Sequence, residues 1–103
     1  MIKIFISCPM KGLSDGEIKA SRDQVYKKFQ QRLKDDNITV INSYFPDFET
    51  TAAIDKDIYC LGKAITKMAE ANIVVFAEGW EKARGCRIEH DVAVSYGLRI
   101  LYV

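Results

Sequence analysis

The chain lacks an excess of charge of either sign: 15 lysines and arginines face 14 aspartates and glutamates, for a net +1. The broad basic field that holds DNA or RNA through its phosphates is therefore missing, and no nucleic acid polymer is expected as a partner. Long apolar runs are missing too. The opening from Ile2 to Ile6 is far shorter than a signal-peptide core and is interrupted by Lys3, and no later run approaches the length of a membrane span. A cytoplasmic protein with no membrane partner is the expectation. Cysteine is scarce and odd in number, and Cys8, Cys60 and Cys86 include no C-x-x-C pair, so neither a disulfide framework nor a zinc ribbon fits. The sole histidine, His90, stands four residues after Cys86. That spacing puts both on one helical face, but two groups do not close a metal site, and packing outweighs a thiol–imidazole catalytic pair.

Two nucleotide signatures are also absent. Neither G-x-G-x-x-G nor G-x-x-x-x-G-K-[ST] occurs, which removes the dinucleotide-binding and phosphate-loop readings. Ser7 and Cys8 stand where a phospho-receiver would need acidic residues at the end of its first strand.

What is present is ordinary globular composition, with 49% hydrophobic and 28% charged residues over 103 positions. That length suits one domain spanning 1–103. Short β-rich apolar runs alternate with longer segments of helical period, the pattern of a parallel sheet covered by helices. Four strands are expected, from Ile2 to Ser7, Ile38 to Asn42, Ile73 to Ala77 and Arg99 to Val103. They are nearly continuous in apolar residues, as buried parallel strands are.

Three helices should connect these strands. Ser14 and Glu17 form a capping-box pattern ahead of Ile18, Val25, Tyr26, Phe29 and Leu33. The second helix is expected to begin with Asp57 as N-cap, to place Ile58, Leu61, Ile65 and Met68 on its inner face, and to end near Asn72. The third should begin after Gly85, turn Ile88, Val92 and Tyr96 inward, and stop at Gly97 in the left-handed position. The result is a βαβαβαβ order. Between the second strand and second helix, Ser43 to Lys56 lacks periodicity yet holds Tyr44, Phe45, Pro46 and Phe48, and reads as a binding loop or, by preference, as core or interface packing.

Ligands of open parallel sheets bind beyond the carboxyl ends of the strands. That rule selects the loop Ser7-Cys8-Pro9-Met10-Lys11-Gly12, the aromatic segment, and the stretch from Glu78 through Gly85. Arg84, Gly85, Cys86, Arg87, Glu89, His90 and Asp91 crowd the start of the third helix, whose free N–H groups and positive dipole end can hold an anion. Glu89, about one turn in, reads either as a nucleophile held ionised by the dipole and nearby arginines or as a complement to the macrodipole worth about 0.3–1 kcal/mol. Arg84 and Arg87 read as surface ion pairs with Glu81, Glu89 or Asp91, or as a clamp on a nucleotide phosphate. Trp80 reads as a base-stacking surface or, more safely, as a core anchor.

These residues also resemble a known pattern. Ala71-Asn72-Ile73-Val74-Val75-Phe76, Gly79-Trp80-Glu81, Gly85-Cys86, Glu89, Ala93 and Gly97-Leu98-Arg99-Ile100, with the opening Ile4 to Gly12, resemble the nucleoside 2-deoxyribosyltransferase-like superfamily. The likeness is to a short branch common in bacteriophages and prophages, and with Asp57 and Leu61 it spans nearly the whole chain. The resemblance implies a flavodoxin-like three-layer α/β sandwich and a site assembled between subunits of a homodimer or larger oligomer. It implies a bacterial or phage-infected host cytoplasm, a nucleoside or nucleotide as the small-molecule partner, and no metal or organic cofactor. It makes Glu89 the nucleophile at the anomeric carbon of a 2-deoxynucleoside or deoxynucleotide. Its loops correspond to Ser7, Cys8, Pro9, Met10, Gly12, Asp57, Gly79, Trp80, Arg84, Gly85 and Arg87 as substrate-binding residues.

The chain departs from the pattern at Ala83 and Asn72, where aspartates are common, at Phe5, where a tyrosine hydroxyl supports the glutamate, and at Cys8, where glycine is usual. Glycosidic cleavage or transfer is the first expectation. A non-catalytic nucleotide-binding module of the same fold is the second, and an oligomeric structural or regulatory phage protein the third.

Overall fold

A computed structural model describes residues 2–33, 37–42 and 55–103. Its elements run β1 (Ile2–Ser7), α1 (Asp15–Leu33), β2 (Ile38–Val40), α2 (Lys56–Met68), β3 (Ile73–Phe76), α3 (Arg84–Ser95) and β4 (Ile100–Tyr102), with a short 3-10 turn at Trp80–Lys82 ahead of α3. The four strands form one parallel sheet in the order β2-β1-β3-β4. The expected α/β fold is therefore present. Among the described residues no helix is long and apolar enough to cross a membrane. The aromatic segment, with Tyr44, Phe45, Pro46 and Phe48, falls in 43–54, outside the described residues, as does the side chain of Leu33.

Successive side chains of a strand point to opposite faces, so an apolar run buried on both faces feeds two cores. Ile4, Ile6, Ile73 and Val75 pack with Val25 and Phe29 of α1 on one face. Phe5, Val74 and Phe76 pack with Ala64 and Met68 of α2 and Ala93 of α3 on the other. These make the three layers. By the same alternation Ser7 follows Phe5 onto the α3 side, and this parity later decides its partner.

The helix starts follow from capping chemistry. Ser14 and Glu17 exchange the two hydrogen bonds of a capping box, Ser14 N–H to Glu17 Oε1 at 3.0 Å and Glu17 N–H to Ser14 Oγ at 3.2 Å. The N-cap of α2 is Asp55 and not Asp57: the Asp55 carboxylate accepts from Ile58 N–H at 3.0 Å. An N-cap acceptor reaches the N–H two or three residues ahead, and Asp57 already lies inside the first turn. α2 ends at Met68, earlier than Asn72, and turns through Glu70 and Ala71 by backbone bonds to Lys67 and Met68. The second strand stops at Val40, although Ile41 still donates to Ile4 O at 2.9 Å. The third and fourth strands are likewise shorter at their ends than expected.

Two inner faces differ from expectation. On α2, Ala64 and Met68 are buried while Ile58 is 70% exposed. On α3, the inward residues are Cys86, Glu89 and Ala93, while Ile88 is exposed and Tyr96 is 79% exposed. Ile88, Val92 and Tyr96 do form an apolar line, and half-buried Val92 packs against the α2/α3 core as expected, but the buried stripe runs through Cys86, Glu89 and Ala93. The rotation brings Glu89 inside. α3 begins at Arg84, one residue before Gly85, and ends as expected at Gly97, whose φ of 65° is the left-handed conformation.

Candidate functional site

β1 and β3 are neighbours whose following loops lead to helices on opposite faces, α1 and α3, so a crevice opens beyond their carboxyl ends. Ser7 pairs with Phe76 at that edge, and Ala77 N–H donates to Ser7 O at 2.9 Å. Gly79 then turns with φ 90°, and a Cβ there would sit 3.7 Å from Pro9 Cγ. The distance would be tolerated, whereas the left-handed backbone is what requires glycine. The two loops thus meet where Pro9 approaches Gly79, and Ser7 reaches Glu89 on the inner side of α3.

Glu89 is the chemical centre of this convergence. It is 8% exposed, one of only two polar side chains buried among the described residues, and the other is its partner: Ser7 Oγ donates to Glu89 Oε1 at 2.7 Å. Burial pushes the Glu89 carboxyl up to about 7, while the Ser7 hydrogen bond and the positive charge of Arg22 pull it back down. The expectation that the helix dipole, Arg84 and Arg87 hold Glu89 ionised is thus corrected. Arg84 and Arg87 are exposed, and Glu89 lies in the second turn, beyond the reach of the dipole end. The carboxyl is instead poised near neutrality. Replacing Ser7 by Ala should remove the restoring hydrogen bond and move the Glu89 titration upward by roughly one pH unit. Carboxyl-carbon NMR through pH 5–9 reads the shift directly, and an unchanged titration would show that the hydroxyl contributes nothing.

Cys8 and Cys86 flank the carboxyl as buried thiols. Burial raises both, Cys86 to about 11, so neither is a thiolate at neutral pH. The Cys86–His90 pairing is not formed as a nucleophile and base. His90 Nε2 meets Tyr102 Oη at 2.6 Å, and its ring stacks on Trp80 with centroids 4.1 Å apart. Trp80 also contacts Phe76 and packs against the α2/α3 core, so it anchors the sheet end. Among the described residues no cluster of three metal-ligating side chains exists.

The remaining expected site residues lie elsewhere. Arg84 pairs with Asp57 at 3.2 Å instead of with Glu81, Glu89 or Asp91, tying the starts of α2 and α3 with both side chains largely exposed. An exposed pair of this kind should contribute little. A double-mutant cycle with Arg84→Ala and Asp57→Ala is expected to give a coupling of about 0–1 kcal/mol in chemical denaturation. Arg87 and Arg84 line, with Trp80, His90 and Asp91, a groove of about 500 Å³ on the outward side of α3, which does not include Glu89. Gly85 sits in the first turn of α3, and Gly12 is an exposed turn residue. The expected set therefore splits into an inner group around Glu89 and an outer group across the helix.

Three departures noted in the sequence also find their places. Phe5 is fully buried in the α2/α3 core, and the hydroxyl on Glu89 comes from Ser7, two residues further along the same strand. Asn72 accepts from Lys3 N–H at 2.7 Å at the opposite edge of the sheet, away from Glu89. Ala83 is the N-cap of α3 and provides no side-chain cap.

Sequence reasoning missed Arg22. It lies on α1 beside the first loop, its Nη2 3.8 Å from Met10 Sδ, and its positive charge pulls against the rise that burial imposes on the Cys8 thiol. The signal was in the sequence: Ile18, Arg22, Val25 and Phe29 recur at spacings of four, three and four. A cation thus occupies a place in the buried stripe.

A family model described as "Domain of unknown function (DUF4406)" matches residues 2–102. No curated protein matches the chain.

Proposed function

The chain belongs to the DUF4406 family, and from the chemistry of its inner site we propose that it cleaves or transfers at the N-glycosidic bond of a 2-deoxynucleoside or deoxynucleotide. One observation carries the reading: a buried glutamate, Glu89, is held by the Ser7 hydroxyl at 2.7 Å at the carboxyl end of β1. With Oε1 occupied by Ser7, Oε2 is the oxygen left for attack. It forms a bond to the anomeric carbon as the C–N bond breaks, and the base leaves with the bonding pair and takes up a proton. Water or a second base then opens the ester with overall retention, so one difficult substitution becomes two easier ones. Assembly into a dimer or larger oligomer belongs to the same proposal and rests on the resemblance alone.

A second reading is favoured by the outer groove. There Arg84 and Arg87 stand with Trp80, Glu81 and Asp91 away from Glu89, Arg84 already paired with Asp57 and Trp80 stacked on His90, and a module that binds a nucleotide without turning it over would use the two arginines on its phosphate. One experiment separates the two. Purified protein is incubated with deoxynucleosides and their 5′-monophosphates, with and without an acceptor base, and free base is measured by chromatography. Base release supports glycosidic chemistry. Silence across the panel, with saturable nucleotide binding that Arg84→Ala or Arg87→Ala weakens, transfers the assignment to the binding module.

A further inference from the structure

Arg22 is poorly served by its own protein. A guanidinium is always charged and presents five N–H donors in a planar fork, and buried charges are ordinarily paired. Among the described residues the one hydrogen-bond partner of Arg22 is a sulfur atom, Met10 Sδ, a weak acceptor. Its Nε is buried with no hydrogen-bond partner, the only such side-chain nitrogen or oxygen among the described residues. It makes no ion pair there with any carboxylate, although its charge reaches Glu89, whose Oε1 is occupied by Ser7. A half-buried fork at the mouth of the first loop, facing soft sulfur and an unmet Nε, lacks an anion with several hard oxygens.

We propose that Arg22 receives a phosphate monoester carried by the sugar of the substrate, so that the Glu89 site takes a deoxynucleoside monophosphate in preference to a free nucleoside. The identity of the sugar rests on the glycosidic reading above; the anion rests on Arg22. The arrangement suits a sugar lying between the two groups, its anomeric carbon toward Glu89 and its phosphate toward α1. A free nucleoside would leave the Nε donor without a partner. A monoester would accept from the fork in the bidentate manner that phosphate and guanidinium share.

Calorimetric binding on the Glu89→Gln protein, which removes turnover, tests this with a deoxynucleoside, its 5′- and 3′-monophosphates, and 2-deoxyribose 5-phosphate. The 5′-monophosphate or the 3′-monophosphate should bind at least about tenfold more tightly than the nucleoside, a difference of about 1.4 kcal/mol. Adding Arg22→Met, which keeps the apolar stem, should erase that preference while nucleoside affinity holds. Arg22→Lys keeps the charge but loses the fork, and should bind the monophosphate about tenfold less tightly than Arg22 does; this variant decides the matter should Arg22→Met fail to fold. A merely structural Arg22 would change both ligands alike. Equal affinity for nucleoside and monophosphate, or a preference that survives Arg22→Met or is undiminished in Arg22→Lys, overturns the proposal. Arg22-dependent binding of 2-deoxyribose 5-phosphate without base release by the Glu89 protein would overturn only the glycosidic reading, and release from free nucleosides with no phosphate preference would overturn only the anion site.

Discussion

Glu89→Gln should lower base release by at least about 10³-fold, with nucleotide affinity and fold retained, because the amide preserves the shape of the side chain but cannot act as the nucleophile. The wild-type pH profile should carry the same assignment. With the carboxyl titrating at about 7, only the ionised fraction attacks, so the rate should climb about tenfold per pH unit below that value and level off above it. The sign is decisive. A buried glutamic acid raised to this range is also the form that serves as a general acid, and that role would make the rate fall through the same interval. A falling limb abolished by Glu89→Gln would reassign Glu89 from nucleophile to acid, and full activity of the Gln variant would remove it from the chemistry. A strained balance of this kind is common at functional sites, where burial and hydrogen bonding set a group near its working pH.

The same burial should make the protein less stable as pH rises. Glu89 ordinarily titrates near 4.5 but does so at about 7 when folded. Between those values the folded chain keeps a proton that the unfolded chain has released, so stability declines with increasing pH. The loss begins near pH 4.5, is complete slightly above 7, and amounts to something on the order of 3 kcal/mol. Glu89→Gln removes the ionisable group and with it this slope. The melting temperature of the variant should therefore gain on the wild type from pH 5 to pH 8, by on the order of 10 °C for a domain of this size. Parallel curves would mean that the buried carboxyl is solvated well enough to ionise without penalty. The two results are linked: a carboxylate that is costly to form in the free protein is one that an approaching electrophilic carbon relieves.

The anchors of the fold were legible because they depend on neighbours in sequence. The Ser14–Glu17 capping box, the four apolar strand runs and the stop at Gly97 each follow from chemistry within a few residues, and all are present. The N-cap of α2 falls on Asp55 and not on Asp57, because two aspartates in one turn look alike until backbone direction selects the one whose oxygen meets Ile58 N–H. Glu89 was legible as a candidate from its position after Gly85 and from the resemblance, but its electrostatics were not. Helical period pointed to Ile88, Val92 and Tyr96 as the inner line, and only the packed helix shows Glu89 sharing the buried stripe with Cys86 and Ala93.

Sequence by itself determined the alternation of strands and helices, the sheet edge where loops gather, and the glutamate those loops would surround. Tertiary structure alone decided which way α3 turns, because only the packing of Ala93 with Phe76 and Val74, and the burial of Cys86 beside it on the helix, shows which stripe faces the sheet. That choice buries Glu89, assigns it the hydroxyl of Ser7 from 82 residues away, and brings the charge of Arg22 to bear on it from another helix. Local propensity acts over a few residues and is written in them. Burial, and the charge state it imposes, is a property of what lies across the gap, which the chain supplies only once it has folded.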